Sequence, residues 1–237
     1  GSAFHTGMAG DTALKKGQLF LTTPIREPIS GPIQNIGTIT RISFDDVSYT
    51  YDAGGKEALI NFSASLTKGQ PVMLVGESGA GKSTVANILL RLLEIQKGNV
   101  IIHTADANTI TINELDGNSW RDQIAYVPQK PYLFRGTIRD NIAFGTNASW
   151  EAIKESAIKA GAHEFIMGRA KGYDDVIGEG GLGLSGGEIQ RIALARAFLH
   201  SGQILILDEV SAHLDVKTET YIGAALQRLM AEKLVLC

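Results

Sequence analysis

The stretch Gly76-Glu77-Ser78-Gly79-Ala80-Gly81-Lys82-Ser83-Thr84 has the residue types and spacing of a polyphosphate cradle, G-x-x-x-x-G-K-[ST]. Its glycines permit backbone angles that turn several N–H groups inward, and a helix starting just after them would add partial positive charge. Lys82 can reach the outer phosphates, the Ser83 hydroxyl is placed to ligate Mg²⁺, and Thr84 is expected on the α-phosphate side. A glycine-rich turn without a ligand would need no lysine at this spot. Much further along, the apolar run Ile204-Leu205-Ile206-Leu207 ends in Asp208-Glu209. The end of a parallel strand is where ligands bind. Asp208 is therefore expected to hold Mg²⁺ through water, and Glu209 to act as general base on a water attacking the terminal phosphate. An acidic helix cap is the plain alternative for this pair. Ser185-Gly186-Gly187 brings a hydroxyl and two glycine amides to the start of a helical run, which suits a second anion site; alone, simple capping would explain it equally well.

These groups need elements to hold them. Pro71-Val72-Met73-Leu74-Val75 is a short apolar run ending in glycine, and Val85, Ile88, Leu89, Leu92 and Leu93 follow at helical spacing. A buried strand feeding a helix through the glycine loop is predicted. Ile124 to Val127 and Ile204 to Leu207 read as strands of a sheet covered on both faces, with helices over Glu188 to Leu199 and Thr218 to Met230 as cover. Near the start, Ile39 to Tyr49 and Ala58 to Leu66 alternate around Asp52-Ala53-Gly54-Gly55, a strand, turn, strand signal. Between Pro131 and Gly183 the strand alternation gives way to short helical stretches, Ile138 to Ala143, Trp150 to Ala160 and Glu164 to Arg169. The fold class is α/β: a mostly parallel sheet, an antiparallel β subdomain and an inserted α-helical subdomain at about 130–187.

Composition sets limits around this. A chain of 237 residues with 44% hydrophobic content can bury one good core or two subdomains sharing one. Its 22 basic and 25 acidic residues give a net charge of −3 without a polybasic run, so no nucleic-acid partner is expected. The one cysteine, Cys237, excludes an internal disulfide framework and a cysteine-based metal site, which fits a cytoplasmic compartment. No apolar run approaches the roughly 20 residues that span a bilayer. Residues 1–37 are expected to be a cloning remnant, Gly1-Ser2, with its flank, then a proline-bearing linker (Pro24, Pro28, Pro32) from a transmembrane domain, ahead of one folded unit at 38–237.

Leu184-Ser185-Gly186-Gly187-Glu188, followed by Ile189-Gln190-Arg191 and a helical run, resembles the signature of ABC transporter ATP-binding cassettes. The resemblance extends over about 200 residues, from Ile39 to the C-terminus, and implies a P-loop NTPase core that binds and hydrolyses ATP with Mg²⁺. It implies that the signature closes on the γ-phosphate of ATP held by a partner cassette, in a head-to-tail dimer. Gln129 is similar to the Q-loop glutamine that contacts Mg²⁺ and the attacking water. Tyr51 matches the A-loop aromatic that stacks on adenine, with Tyr49 as the competing candidate. Ser211-Ala212-His213-Leu214-Asp215 resembles the D-loop, where His213 reads as an interface or packing residue. Pro131 to Ile138 and Gly178-Glu179-Gly180-Gly181 are similar to exporter cassettes, in which Glu179 would contact the transmembrane domain on the cytoplasmic face of the cell membrane. Trp120-Arg121, Gly178 to Ser185 and the D-loop histidine resemble, more narrowly, CydD-like subunits of heterodimeric thiol exporters. An importer ATPase subunit and a soluble, non-transport ABC ATPase are the alternatives within the family. A small-molecule P-loop kinase would leave the signature unexplained.

Two departures stand out. Glu188 occupies a position where the family usually has glutamine, and its charge beside a phosphate is expected to tune ATP affinity modestly. The family's switch histidine follows a strand that Lys233 to Cys237 resembles, so the sequence as given is expected to stop before it and to hydrolyse ATP slowly.

Overall fold

The computed structural model describes residues 31–51, 55, 57–77, 79–208 and 216–237, and within 216–222 the backbone alone. Strands β1 (Ile39–Thr50) and β2 (Glu57–Thr67) pair antiparallel, as their alternation predicts. The buried positions Ile42, Phe44, Val47 and Tyr49 skip from 44 to 47 because the register shifts there. Asp46 takes a positive φ of 50° at the irregularity, and its N–H is satisfied by the Ser63 hydroxyl at 3.0 Å. β3 (Lys97–Thr104) and β4 (Thr109–Thr111) complete a four-stranded antiparallel sheet in the order β2-β1-β3-β4.

The second sheet is parallel: β5 (Ile124–Val127), β8 (Ile204–Leu207) and β9 (Leu234–Leu236), in the order β5-β8-β9. Residues 71–75, expected as a buried strand, run extended beside β9 and form one parallel bridge, Val72 to Leu236. Met73 and Val75 are 71% and 86% exposed, so this segment is not buried. Among the described residues only one of its edges is paired, and no described element covers the outward side chains.

Helix α1 (Lys82–Leu89) follows the glycine loop and is shorter than its apolar spacing suggests. Arg91 adopts a left-handed φ of 55° that ends it, leaving Leu92 exposed while Leu89 is buried. Trp120, on α2 (Gly117–Arg121), closes over that end, and its indole N–H donates to the Leu89 carbonyl at 2.6 Å.

The stretch 130–187 carries α3 (Ile138–Ile142), α4 (Trp150–Lys159) and α5 (His163–Met167), each beginning within a residue of its sequence signal. A two-stranded ribbon, β6 (Gly136–Thr137) with β7 (Val176–Ile177), was not foreseen among them. Helices α6 (Gly186–Leu199) and α7 (Val216–Ala231) form as expected but pack into one apolar cluster, so they cover a single face of the parallel sheet and not both. Strands β5, β8 and β9 form a wall shared by two apolar clusters. Ala125, Val127, Leu205, Leu207 and Val235 face α3 to α6, whereas Ile124, Ile204, Ile206, Leu234 and Leu236 face α1 and the antiparallel sheet. Residues 31–37, expected as linker, already pack here: Ile36 is buried and Ile33 bridges Leu115.

Candidate functional site

The glycine loop sits between the extended segment 71–75 and α1, where sequence reasoning puts it. Gly81 is the N-cap of α1 with φ 87° and ψ 4°, and it offers no side chain to cap the first amides. Only glycine fits: a Cβ at Gly81 would run into the Ala58 carbonyl and lie 2.8 Å from Leu59. The helix start therefore keeps N–H donors and the positive end of its dipole free of an internal acid. The Lys82 ammonium folds back over the loop, donating to the carbonyls of Gly76 at 2.7 Å and Glu77 at 3.0 Å.

A cleft of about 670 Å³ opens over the loop, lined by Tyr51, Gly76, Gly79, Gly81, Lys82, Ser83, Thr84, Gln129 and Asp208 together with Glu57 and Ala58. Residues more than a hundred positions apart thus converge on one space, of a volume ordinary for ligand pockets. A smaller hollow of about 240 Å³ adjoins it, sharing Gly76, Lys82, Ser83 and Asp208 and walled by Leu74, Ala86, Ile206, Leu236 and Cys237.

Tyr51 is 55% exposed at the cleft, whereas Tyr49 is buried in β1 and meets Tyr51 edge-on at 5.1 Å. The Tyr51 phenol hydrogen-bonds the Thr84 hydroxyl at 3.1 Å, so Thr84, itself buried, anchors the aromatic wall. Asp208 follows β8, and its carboxylate accepts from the Tyr126 phenol of β5 at 3.4 Å. Burial first, then the negative charge of Asp208, holds the Tyr126 hydroxyl above its ordinary pKa and so protonated as a donor. The hydroxyl of Ser83, the amide of Gln129 and the carboxylate of Asp208 border the same cleft, an oxygen set that suits a hard cation such as Mg²⁺ completed by phosphate and water.

Ser185, Gly186 and Gly187 do not border this cleft. They start α6, where Ser185 is the N-cap in a capping box with Glu188. A Cβ at Gly186 would meet nothing within 4 Å, so no packing among the described residues calls for glycine there. The loop ahead of α6 is tied to the segment after Gln129: the Gly180 N–H donates to Leu133 O at 2.8 Å, and the Tyr132 phenol donates to Glu179 at 2.8 Å. Arg196 on α6 grips the same segment through Tyr132 O at 2.7 Å and Asn141 Oδ1 at 2.7 Å. Burial pushes its pKa down to about 10.

Glu77 contributes its backbone carbonyl, and the Ala80 N–H closes a turn onto that carbonyl at 3.1 Å; neither borders the cleft. Ser78, Glu209 and the stretch 211–215 with His213 lie outside the described residues. Sequence reasoning missed Glu57, Ala58 and Tyr126. The first two are brought in by the β1–β2 register, which sets Glu57 opposite Thr50.

A family profile described as ABC transporter matches residues 59–212. An ATP-dependent lipid A-core flippase of Photobacterium profundum is 41% identical over 197 residues, 82% of this chain and 33% of that protein. The corresponding flippase of Aromatoleum aromaticum is 40% identical over 213 residues, 89% of this chain and 33% of its own length. A solved bacterial Atm1-family ABC exporter with ATP bound superposes with a TM-score of 0.79 at 32% identity, covering 94% of this chain and 38% of that one. This chain thus spans about a third of the length of such relatives.

Proposed function

This chain belongs to the ABC transporter family, and on that premise we propose that it binds and hydrolyses ATP to power an exporter, with a second cassette and a transmembrane domain as partners at the cytoplasmic face of a membrane. One observation carries this: a single cleft gathers the phosphate loop, Tyr51, Gln129 and Asp208, drawn from four separate parts of the chain. Tyr51 presents a ring for adenine to stack on. The amides at the start of α1 and the Lys82 ammonium, once it exchanges its two loop carbonyls for phosphate oxygens, bind the triphosphate. Ser83, Gln129 and Asp208 would hold Mg²⁺, which when bound offsets phosphate charge. Glu209 orients and deprotonates the attacking water.

The Ser185-Gly186-Gly187 start of α6 is assigned to the terminal phosphate of a nucleotide on the second cassette. In support, Gly186 is exposed and open, which suits close approach by a second body. Tyr132 and Glu179, linked to each other and solvent-facing, are assigned to contact the transmembrane domain.

Calorimetric titration with MgATP tests the reading. A charge-assisted contact contributes about 1.5–3 kcal/mol, so Lys82→Ala is expected to weaken binding by roughly 10- to 150-fold. Unchanged affinity would overturn it. Glu209→Gln is expected to keep ATP bound and to accumulate as an ATP-dependent dimer; a variant that binds ATP but stays monomeric would remove Glu209 from its role.

A further inference from the structure

We propose that Glu188 is a positioning residue that makes the Ser185-Gly186-Gly187 site a weak acceptor of the terminal phosphate, by standing in for that phosphate within the chain. The inference rests on the assignment of this site to a second cassette's nucleotide. One carboxylate oxygen, Glu188 Oε2, accepts from the Ser185 N–H at 2.7 Å and from the Ser185 hydroxyl at 2.8 Å, while the Glu188 N–H donates to Ser185 Oγ at 3.3 Å. A serine hydroxyl has one proton to give. Glu188 holds it, so Ser185 turns lone pairs toward an arriving phosphate, which is itself only an acceptor.

The positive end of the α6 dipole is likewise spent on Glu188, the acid in its first turn. To be held by Ser185, a phosphate must displace a carboxylate of the same charge from the same donors. Otherwise it binds through the amides of Gly186 and Gly187, with a formal negative charge one hydrogen bond away.

Capping alone does not require this charge. A glutamine side chain in place of Glu188 could accept from the Ser185 N–H through its carbonyl oxygen and complete the same box. The charge therefore favours the separated chain, whose helix start it satisfies, over the closed pair, whose phosphate it opposes.

The test compares the Glu209→Gln chain with and without Glu188→Gln, following ATP-dependent dimer formation by sedimentation. Glu188→Gln is expected to reach half-maximal dimer at about three- to tenfold lower ATP. The gap should narrow as salt rises from about 0.05 to 0.5 M, because exposed charges are screened. ATP affinity of the monomer, measured at protein concentrations too dilute to pair, should stay unchanged, since Ser185 lies outside that cleft. Glu188→Ala separates charge from capping: it should lower the thermal midpoint through loss of the cap and still dimerise at lower ATP than the chain that keeps Glu188. Equal half-maximal ATP with and without Glu188→Gln, or a gap indifferent to salt, would overturn the proposal. If neither chain dimerised at saturating ATP, the assignment of the site to a second cassette would fall together with the role given to Glu209, and this inference with them.

Discussion

Tyr51 combines two tasks in one side chain. Its ring walls the cleft, and its hydroxyl ties that wall to α1 through Thr84 at 3.1 Å. The two can be separated. Tyr51→Phe keeps the ring and its edge-on contact with Tyr49, so ATP affinity is expected to fall by about two- to threefold, the low end of what one hydrogen bond contributes. Tyr51→Ala removes the stacking surface, expected to cost about 1–3 kcal/mol, or roughly 5- to 150-fold in affinity. Titration of both variants with MgATP checks this, and equal losses would mean that the hydroxyl, not the ring, matters. The sequence left Tyr49 and Tyr51 as rivals because two tyrosines stand two positions apart where the predicted strand runs out. What separates them is that β1 ends at Thr50, so the first ring is inside the sheet and the second beyond it. Thr84 was legible as part of the phosphate loop, but not as the anchor of an aromatic 33 positions away.

At the scale of elements, the turn from α6 into β8 is held by polar groups in place of an apolar plug. The Lys233 ammonium donates to the His200 carbonyl at 3.0 Å and also to Gly202 O, and the Gly202 N–H donates to His200 Nδ1 at 3.0 Å. Nδ1 must be unprotonated to accept. Burial, then the Lys233 charge, lowers the His200 pKa from its ordinary 6.5. A depressed folded pKa means the unfolded chain binds the extra proton first as pH falls. The stability contributed by neutral His200 is therefore complete above pH 6.5 and is lost as pH drops through the lowered folded value. His200→Asn, whose side-chain oxygen can accept the Gly202 N–H without titrating, should show a shallower decline in thermal midpoint below about pH 6.5. Parallel declines in both proteins would sink the assignment. Element types were readable where one period dominates, as in α4, or where a short apolar run is nearly unbroken, as in β5 and β8. Ends were less so. The apolar spacing past Leu89 still looks helical, and only the left-handed backbone at Arg91 shows where α1 stops. The exposed Met73 and Val75 are a similar case, since hydrophobicity marks what could be covered and not what is.

For the whole molecule, the parallel sheet is the feature on which both the site and the fold depend. Ala125 and Val127 on β5, with Leu205 and Leu207 on β8, pack toward the helical subdomain, while Ile124, Ile204 and Ile206 on the same strands pack toward α1 and the antiparallel sheet. Continuous apolar runs announce a strand covered on both sides, but not which cover lies on which face. One wall serving two clusters should make the halves unfold together, even though sequence reasoning separates them into subdomains. The chain's two tryptophans fall on opposite sides of this wall and can report on it. Trp120 is fully buried among the α1-side residues, and Trp150 stands on Tyr173 in the helical part at 4.8 Å. In a Trp150→Phe chain, fluorescence reports only Trp120, and its denaturant midpoint should coincide with that of far-ultraviolet circular dichroism. Leu205→Ala then cuts a cavity on the opposite face, at a cost of about 2–5 kcal/mol. Because β8 carries both faces, the Trp120 midpoint should fall by the same amount as the helical signal. If dichroism shifted and Trp120 did not, the two clusters would be separately stable, and Asp208, at the end of β8, would lose its claim to a single rigid support.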